Sequence, residues 1–78
     1  MSSLEKYKNA FKEAFGVEES VFPTLKYQDI QAWDSIGHMK LIANLEMAFD
    51  IMMDTDDIID FSSYEKGKEV LKKYEVEI

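Results

Sequence analysis

The segment from Asp34 to Phe49 carries apolar residues at helical spacing on two of its faces, and no other feature constrains the fold as much. One stripe comprises Leu41, Ile42, Leu45 and Phe49, and the other comprises Ile36, Met39, Ala43 and Met47. Such spacings place side chains on one face of an α-helix. A helix in a 78-residue bundle cannot bury both stripes fully. We expect one stripe to be partly exposed for a partner or a ligand. The alternative is that this is simply the most buried helix.

The first helix of the chain is predicted to start near its N-terminus. Ser2 and Glu5 form an S-x-x-E capping box, and Gly16 stands where a C-terminal helix glycine belongs. The expected apolar face of this helix comprises Leu4, Tyr7, Phe11, Ala14 and Phe15.

The segments that follow the first two helices lack a long helical pattern. Residues 17–33 include Pro23 and several turn-prone residues, so we predict a long ordered loop with one short helical turn. Its apolar anchors are expected to be Val21, Phe22, Leu25, Tyr27 and Ile30. Residues 50–61 are rich in aspartate, and they are predicted to hold one or two turns of helix with Ile58 and Ile59 as apolar contacts.

The last helix is predicted to begin at Ser62 or Ser63, where Ser62 and Glu65 repeat the capping-box pattern. Its inner face is expected to comprise Tyr64, Gly67, Val70 or Leu71, and Tyr74, and residues 75–78 are expected to fray. The predicted fold is all-α. It is one domain over residues 1–78, a small four-helix bundle of three longer helices and one short helix, with a long loop between the first two.

Charge and composition exclude several classes of function. The chain has 16 acidic residues and nine lysines, with no arginine, for a net charge of −7. Nucleic acids and anionic membranes are therefore unfavourable partners. No apolar run is long enough to insert into a membrane, and the start of the chain does not resemble a signal peptide. The lack of cysteine excludes disulfides and thiolate sites and fits a cytoplasmic location; we expect a monomer.

Most of the negative charge lies in the middle of the chain. Residues 34–60 contain seven acids and one lysine, and they carry −6 of the total charge of −7. A basic partner would be attracted there, although a solvated acidic surface is the simpler interpretation.

Ser35 opens the central helix directly after Asp34, a natural N-cap residue. A hydroxyl in the first turn of a helix lies close to unpaired backbone N–H groups and to the positive end of the helix dipole. The position therefore suits a serine that carries a phosphate ester. Taken alone, the Asp-Ser pair is better explained by capping, because this pair opens many helices.

The wider context of this serine resembles the acyl carrier protein family. The family signature is D-S-[L/I] at the start of a helix, an aliphatic pair, L-E, and F-D-[I/T] at the helix end. Here these elements are Asp34-Ser35-Ile36, Leu41-Ile42, Leu45-Glu46 and Phe49-Asp50-Ile51. The order of the remaining predicted elements follows the family over essentially the whole chain.

The resemblance implies a carrier that performs no chemistry of its own and has no catalytic residue. Ser35 would be esterified with 4′-phosphopantetheine from coenzyme A by a phosphopantetheinyl transferase, and Asp34 would help the transferase to bind magnesium. The arm would carry acyl groups as thioesters between acyl-loading and acyl-transferring enzymes. These partners would dock on the second helix, where the expected contact residues are Ile36, Met39, Lys40, Ala43 and Met47.

The chain departs from the pattern of fatty-acid-synthesis carriers at three places. Gly37-His38 replaces an acid after D-S-I, Lys40 replaces a frequent glutamate, and Ala32-Trp33 replaces a glycine-rich approach. These departures favour a specialised pathway, such as a polyketide-like, aminoacyl or surface-glycan route, over housekeeping fatty acid synthesis.

His38 is the only histidine, and it shares a helix face with Ser35 at a spacing of three residues. It is therefore a candidate donor to the phosphate of an attached arm, with an exposed surface histidine as the alternative. Asp34, Ser35 and His38 are not a catalytic triad, because residues within one helical turn cannot take the mutual orientations that a triad needs.

Part of the acidic segment follows the ligand spacing of an EF-hand calcium loop. Four acids fall at positions 1, 3, 7 and 12 of an EF-hand count: Asp54, Asp56, Asp60 and Glu65. Ile58 stands at a ligand position, and Ile59 replaces the glycine of the sharp turn, so no metal site is predicted. Weak divalent binding that screens these aspartates is left open.

Two alternatives to an acyl carrier remain on the sequence alone. The first is an aminoacyl or peptidyl carrier of the same fold. The second is a non-enzymatic helical interaction module without a prosthetic group, in which Ser35 serves only in capping.

Overall fold

The computed structural model describes residues 2–78, which contain four α-helices and one 3₁₀ helix. The α-helices are α1 (Ser3–Phe15), α2 (Ser35–Phe49), α3 (Thr55–Asp60) and α4 (Tyr64–Lys72), and the 3₁₀ helix spans Glu19–Thr24. The predicted all-α bundle with a long first loop is confirmed. Within these residues, no helix has the length and apolar character needed to cross a membrane.

Helix α1 begins and ends where its capping residues predict. The Ser2 hydroxyl accepts a hydrogen bond from the Glu5 amide at 3.1 Å. Gly16 adopts a left-handed conformation (φ 65°), and its amide donates to the Lys12 carbonyl at 2.8 Å. The apolar face differs from the expected one at its start, because Leu4 is exposed and the buried positions are Tyr7, Ala10, Phe11 and Phe15.

Aromatic rings from α1, the long loop and the segment after α3 form the centre of the core. The fully buried aromatic side chains are Tyr7, Phe11, Phe22, Trp33 and Phe61. The Tyr7 hydroxyl donates to the Tyr64 carbonyl at 2.6 Å, so its polar group is satisfied, and burial raises the pKa of this phenol. A Cβ at Gly67 would overlap the Phe61 ring and the Tyr7 hydroxyl. The glycine therefore allows α4 to approach this cluster.

The long loop is ordered because its apolar residues pack in the core and its backbone forms hydrogen bonds with the rest of the protein. Phe22, Leu25 and Trp33 are buried, whereas Val21 and Tyr27, which were also expected to anchor the loop, are exposed. The Tyr27 amide donates to the Ser62 carbonyl at 2.8 Å, and the Tyr64 amide donates to the Leu25 carbonyl at 3.0 Å. These bonds attach the loop to the segment that precedes α4.

Three local predictions near the end of the chain are wrong. Ser63, not Ser62, caps α4, because its hydroxyl accepts from the Lys66 amide at 2.9 Å. Ile58 packs against the core as expected, but Ile59 is exposed. The tail is not frayed, since Val76 is buried and its amide donates to the Leu71 carbonyl at 3.2 Å.

Candidate functional site

Ser35 is the first residue of α2, and its side chain is exposed. Asp34 precedes it in an extended conformation, and one carboxylate oxygen of Asp34 accepts from the Gly37 amide at 2.8 Å. The Asp34 carbonyl accepts the first helical bond, from the His38 amide at 2.8 Å. Asp34 therefore caps α2 as predicted. The amides of Ser35 and Ile36 belong to the first turn, where helical geometry offers them no carbonyl partner.

The loop end packs directly against the first turn of α2. Gly37 is buried, and a Cβ at this position would overlap the carbonyl oxygen of Ala32 and crowd the Phe15 ring. Only a residue without a side chain allows the chain to approach itself so closely. Gly37 thus allows residues 32–34 to pack against the first turn of α2 in the conformation that leaves Ser35 at the surface.

His38 lies between the loop and α3, with both ring nitrogens engaged. The Trp33 indole N–H donates to His38 Nδ1 at 2.9 Å, and Nε2 lies 2.8 Å from the Ile58 carbonyl oxygen. An indole nitrogen can only donate and a carbonyl can only accept, so Nδ1 is the acceptor and Nε2 carries the hydrogen. The ring is part-buried, not an exposed surface histidine. Donation from His38 to an anion on Ser35 stays a prediction, and it requires the bond to Ile58 to open.

A groove of about 360 Å³ opens beside Ser35. Ser35, His38 and Met39 line it from α2, and Ile58 and Ile59 line it from α3. Its other walls are Tyr27, Phe61 and Ser62. The lining is mainly apolar and includes no charged side chain, and its volume is within the range of small-molecule sites. The groove could not be predicted from the sequence, because no local spacing rule relates the residues of the loop, α2 and α3 that line it.

The two stripes of α2 are in different environments, as predicted. In the first stripe Leu41, Ile42 and Leu45 are buried, although Phe49 at its end is only partly buried. All four residues of the second stripe are exposed. The exposed fractions are 73% for Ile36, 53% for Met39 and 77% for Met47, and Ala43 is exposed as well.

Two apolar residues that follow α2, Met52 and Ile59, are also exposed. Ile59, which was expected to contact the core, is 71% exposed. Helical spacing does indicate that adjacent isoleucines on a two-turn helix cannot both face the core. Lys40 lies on the exposed side of α2 and forms no salt bridge with any of residues 2–78.

On its other side, α3 is held by Asp57, which the sequence reasoning did not single out. The buried Asp57 carboxylate accepts from the Tyr74 hydroxyl at 2.6 Å and from Lys73 Nζ at 2.9 Å. The Tyr74 hydroxyl in turn accepts from the Asp54 amide at 2.8 Å. The hydrogen bond donated by Tyr74, then that donated by Lys73, lowers the pKa of Asp57. Donation to the Asp57 carboxylate in turn raises the pKa of Lys73. Asp57 thus has a structural role, although it lies in a segment with many other aspartates.

Comparison with known proteins adds no relative. No protein-family model matches the chain, and neither a curated protein nor a solved structure matches it. The fold and the site therefore define a small helical bundle with an exposed serine at a helix N-terminus, an adjacent apolar groove and an exposed apolar helix face.

Proposed function

We propose that this protein is a discrete acyl carrier whose Ser35 hydroxyl is esterified with 4′-phosphopantetheine. The observation that carries the proposal is the placement of Ser35, which is exposed at the first position of α2 and also lines the apolar groove. A phosphate ester there would lie close to the first-turn amides and the positive end of the helix dipole. When attached, the arm supplies a thiol that holds an acyl group as a thioester.

In addition to capping α2, Asp34 is proposed to help a transferase bind magnesium. One of its carboxylate oxygens is occupied by the Gly37 amide, and the other has no hydrogen-bond partner among residues 2–78. The carboxylate is exposed beside Ser35 and can therefore contribute to the magnesium site of a transferase while it still caps α2.

The exposed stripe of α2 is the proposed docking surface for partner enzymes. Ile36, Met39 and Met47 supply apolar contact area that the fold does not use. The surrounding segment of residues 34–60 carries −6 of the net charge, which favours partners with a basic rim around an apolar groove. Such a surface suits transient contacts with several enzymes in turn.

The groove supports an acyl cargo over an aminoacyl one. An aminoacyl group carries an ammonium, which gains nothing from apolar side chains and would be attracted to an acid outside the lining, such as Asp34. The residues that line the groove include Met39, Ile58 and Ile59 and no carboxylate. An apolar acyl chain needs no such partner, and burying it there is favourable.

The inference of a specialised pathway now depends mainly on Lys40. Two of the three departures from the fatty-acid-synthesis pattern belong to one packing unit. Ala32 contacts the first turn through the space left by Gly37, and Trp33 donates to His38. These residues serve the fold, so they carry little information about partners. Lys40 is exposed and forms no salt bridge within residues 2–78, so it is available for contact with a partner.

Mass spectrometry of the intact protein tests the carrier function. After incubation with coenzyme A, magnesium and a broad-specificity transferase, the wild type should gain one phosphopantetheine arm and Ser35→Ala none. Ser62→Ala is the matched control, because Ser62 lines the same groove and is also exposed, and it should be modified as the wild type is. An unmodified wild type, beside a carrier that the same transferase loads, would favour the interaction module instead.

Charge reversal at Lys40 tests the pathway. If a dedicated partner reads Lys40 through an acid of its own, Lys40→Glu should slow transfer with that partner and improve turnover with fatty-acid-synthesis enzymes that have basic docking sites. Unchanged rates with both sets of enzymes would remove the support for a specialised pathway.

A further inference from the structure

The attachment of α3 to α2 beside the groove depends on one side chain. Helix α3 has only six residues, so most of its carbonyl groups have no partner within the helix. The Ile58 carbonyl is one of these, and it accepts from His38 Nε2 at 2.8 Å. His38 thus caps the C-terminal turn of α3 from a neighbouring helix.

Trp33, on the opposite side of the imidazole ring from Ile58, determines the orientation of the ring. The Trp33 indole N–H, 2.9 Å from Nδ1, leaves Nε2 as the nitrogen that carries the hydrogen. The His38 ring lies nearly parallel to the Trp33 ring at 6.2 Å between centroids, and nearly perpendicular to the Tyr27 ring at 5.3 Å. Trp33 itself is fully buried, so the base of this arrangement belongs to the core.

The two residues joined by the hydrogen bond between His38 and Ile58 lie on opposite sides of the groove beside Ser35. His38 and Met39 form one wall, and Ile58 and Ile59 form the other. The only hydrogen bond that joins the two walls within residues 2–78 is the one between His38 and Ile58. The distance between the walls therefore depends on that bond and on apolar packing.

We propose that His38 is a positioning residue that holds α3 against the first turn of α2 and sets the width of the groove beside Ser35. Opening the groove breaks the bond to Ile58 and leaves the bond to Trp33 in place, since the indole is fixed in the core. This is a property of the unmodified chain, and it goes beyond the proposed carrier function. Its test therefore succeeds or fails independently of arm attachment.

The first part of the test is the protonation pattern of the wild-type ring. NMR of the imidazole nitrogens at neutral pH should show the hydrogen on Nε2 and an accepting Nδ1. The Trp33 indole N–H should show the shift of a hydrogen-bonded donor, and that shift should change in His38→Phe. Hydrogen on Nδ1 in the wild type would overturn the proposal.

The second part is hydrogen exchange in the unmodified protein. His38→Phe keeps a ring and removes both hydrogen bonds, so the amides bonded within α3, such as that of Phe61, should exchange roughly tenfold faster. His38→Gln keeps a donor near the Nε2 position, so it should stay close to the wild-type rate.

Tyr74→Phe is the matched control, because it removes the Asp57 bond on the other side of α3 and should leave the Trp33 indole shift unchanged. The proposal is overturned if α3 exchange in His38→Phe stays at the wild-type rate. It is also overturned if exchange in α1 and α2 accelerates by the same factor, since that result would mean a general loss of stability. Equal acceleration in His38→Gln and His38→Phe would likewise contradict it.

Discussion

The two faces of α2 consist of similar apolar residues, but one face is buried and the other is exposed. Leu41 and Leu45 are fully buried in the core, whereas Met47 and Ile36, on the other face, are about three-quarters exposed. Exposing large apolar side chains along one helix face brings no benefit to folding. Hydrophobicity alone therefore does not define the core of this protein, and the exposed face of α2 is available for contact with other molecules.

The difference between the faces arises from what surrounds them. The aromatic cluster of Phe11, Trp33 and Phe61 covers the inner face of the bundle, and the loop closes over it. On the outer face, α3 covers only the first turns of α2, where the groove lies. Changing one residue on each face therefore separates folding from recognition.

The largest contrast is expected between two truncations on α2. Leu45→Ala should lower the free energy of unfolding by about 2–5 kcal/mol, because it leaves a cavity in the core. Met47→Ala should change it by less than about 0.5 kcal/mol, since the side chain is already exposed. Urea titrations of both variants measure this, and equal midpoints would show that the two faces do not differ energetically.

Phe49 belongs between these extremes. The sequence places it at the end of the core stripe, which predicts the full cost of a buried phenylalanine for Phe49→Ala. Its partial burial lowers that expectation to below the cost of Leu45→Ala.

A methyl group at Gly37 should have the next largest effect. Gly37→Ala forces the Ala32 carbonyl away from the first turn of α2, and overpacking of this kind costs about 1–3 kcal/mol. Ala43→Ser, on the exposed face of the same helix, is the control and should lie within about 0.5 kcal/mol of the wild type. Thermal unfolding distinguishes the two, and a neutral Gly37→Ala would mean that the loop does not pack there as described.

Acid should weaken the attachment of α3 through Asp57. The pKa of Asp57 is lowered from its ordinary 3.8 by Tyr74 and Lys73, so the carboxylate stabilises the fold above that value. This contribution is lost as the pH falls through the lower, folded-state pKa. Wild type should therefore be more stable than Asp57→Asn at neutral pH, and urea midpoints should converge as the pH drops below 3.8. A constant difference would show that Asp57 is not held by these partners.

Local sequence signals predicted the helices more reliably than the contacts between them. Ser2, Gly16 and Asp34 act on the neighbouring amides or carbonyls, so caps and periodicity were sufficient to place α1 and the start of α2. The exposed stripe could be predicted for the same reason, since it depends only on spacing along one helix and on the size of the domain.

Contacts between distant segments could not be predicted in this way. The bridge from Trp33 through His38 to Ile58 joins three segments, and no spacing rule relates them. The same holds for the bond between Asp57 and Tyr74, where one aspartate is selected by packing. Val76 was expected in a frayed tail, yet it is buried because α4 is followed by a turn that returns the chain to the core.

The central claim is that the exposed face of α2, which folding does not use, serves recognition at Ser35. The most direct measurement is kcat/KM for arm transfer to Met39→Glu, together with its urea midpoint. Val21→Glu is the matched control, because it places the same charge on an exposed apolar residue of the 3₁₀ helix. We predict at least about a tenfold loss of kcat/KM for Met39→Glu with an unchanged midpoint, and no loss for Val21→Glu. Equal transfer rates for both variants, or a loss that follows a lowered midpoint, would contradict the claim.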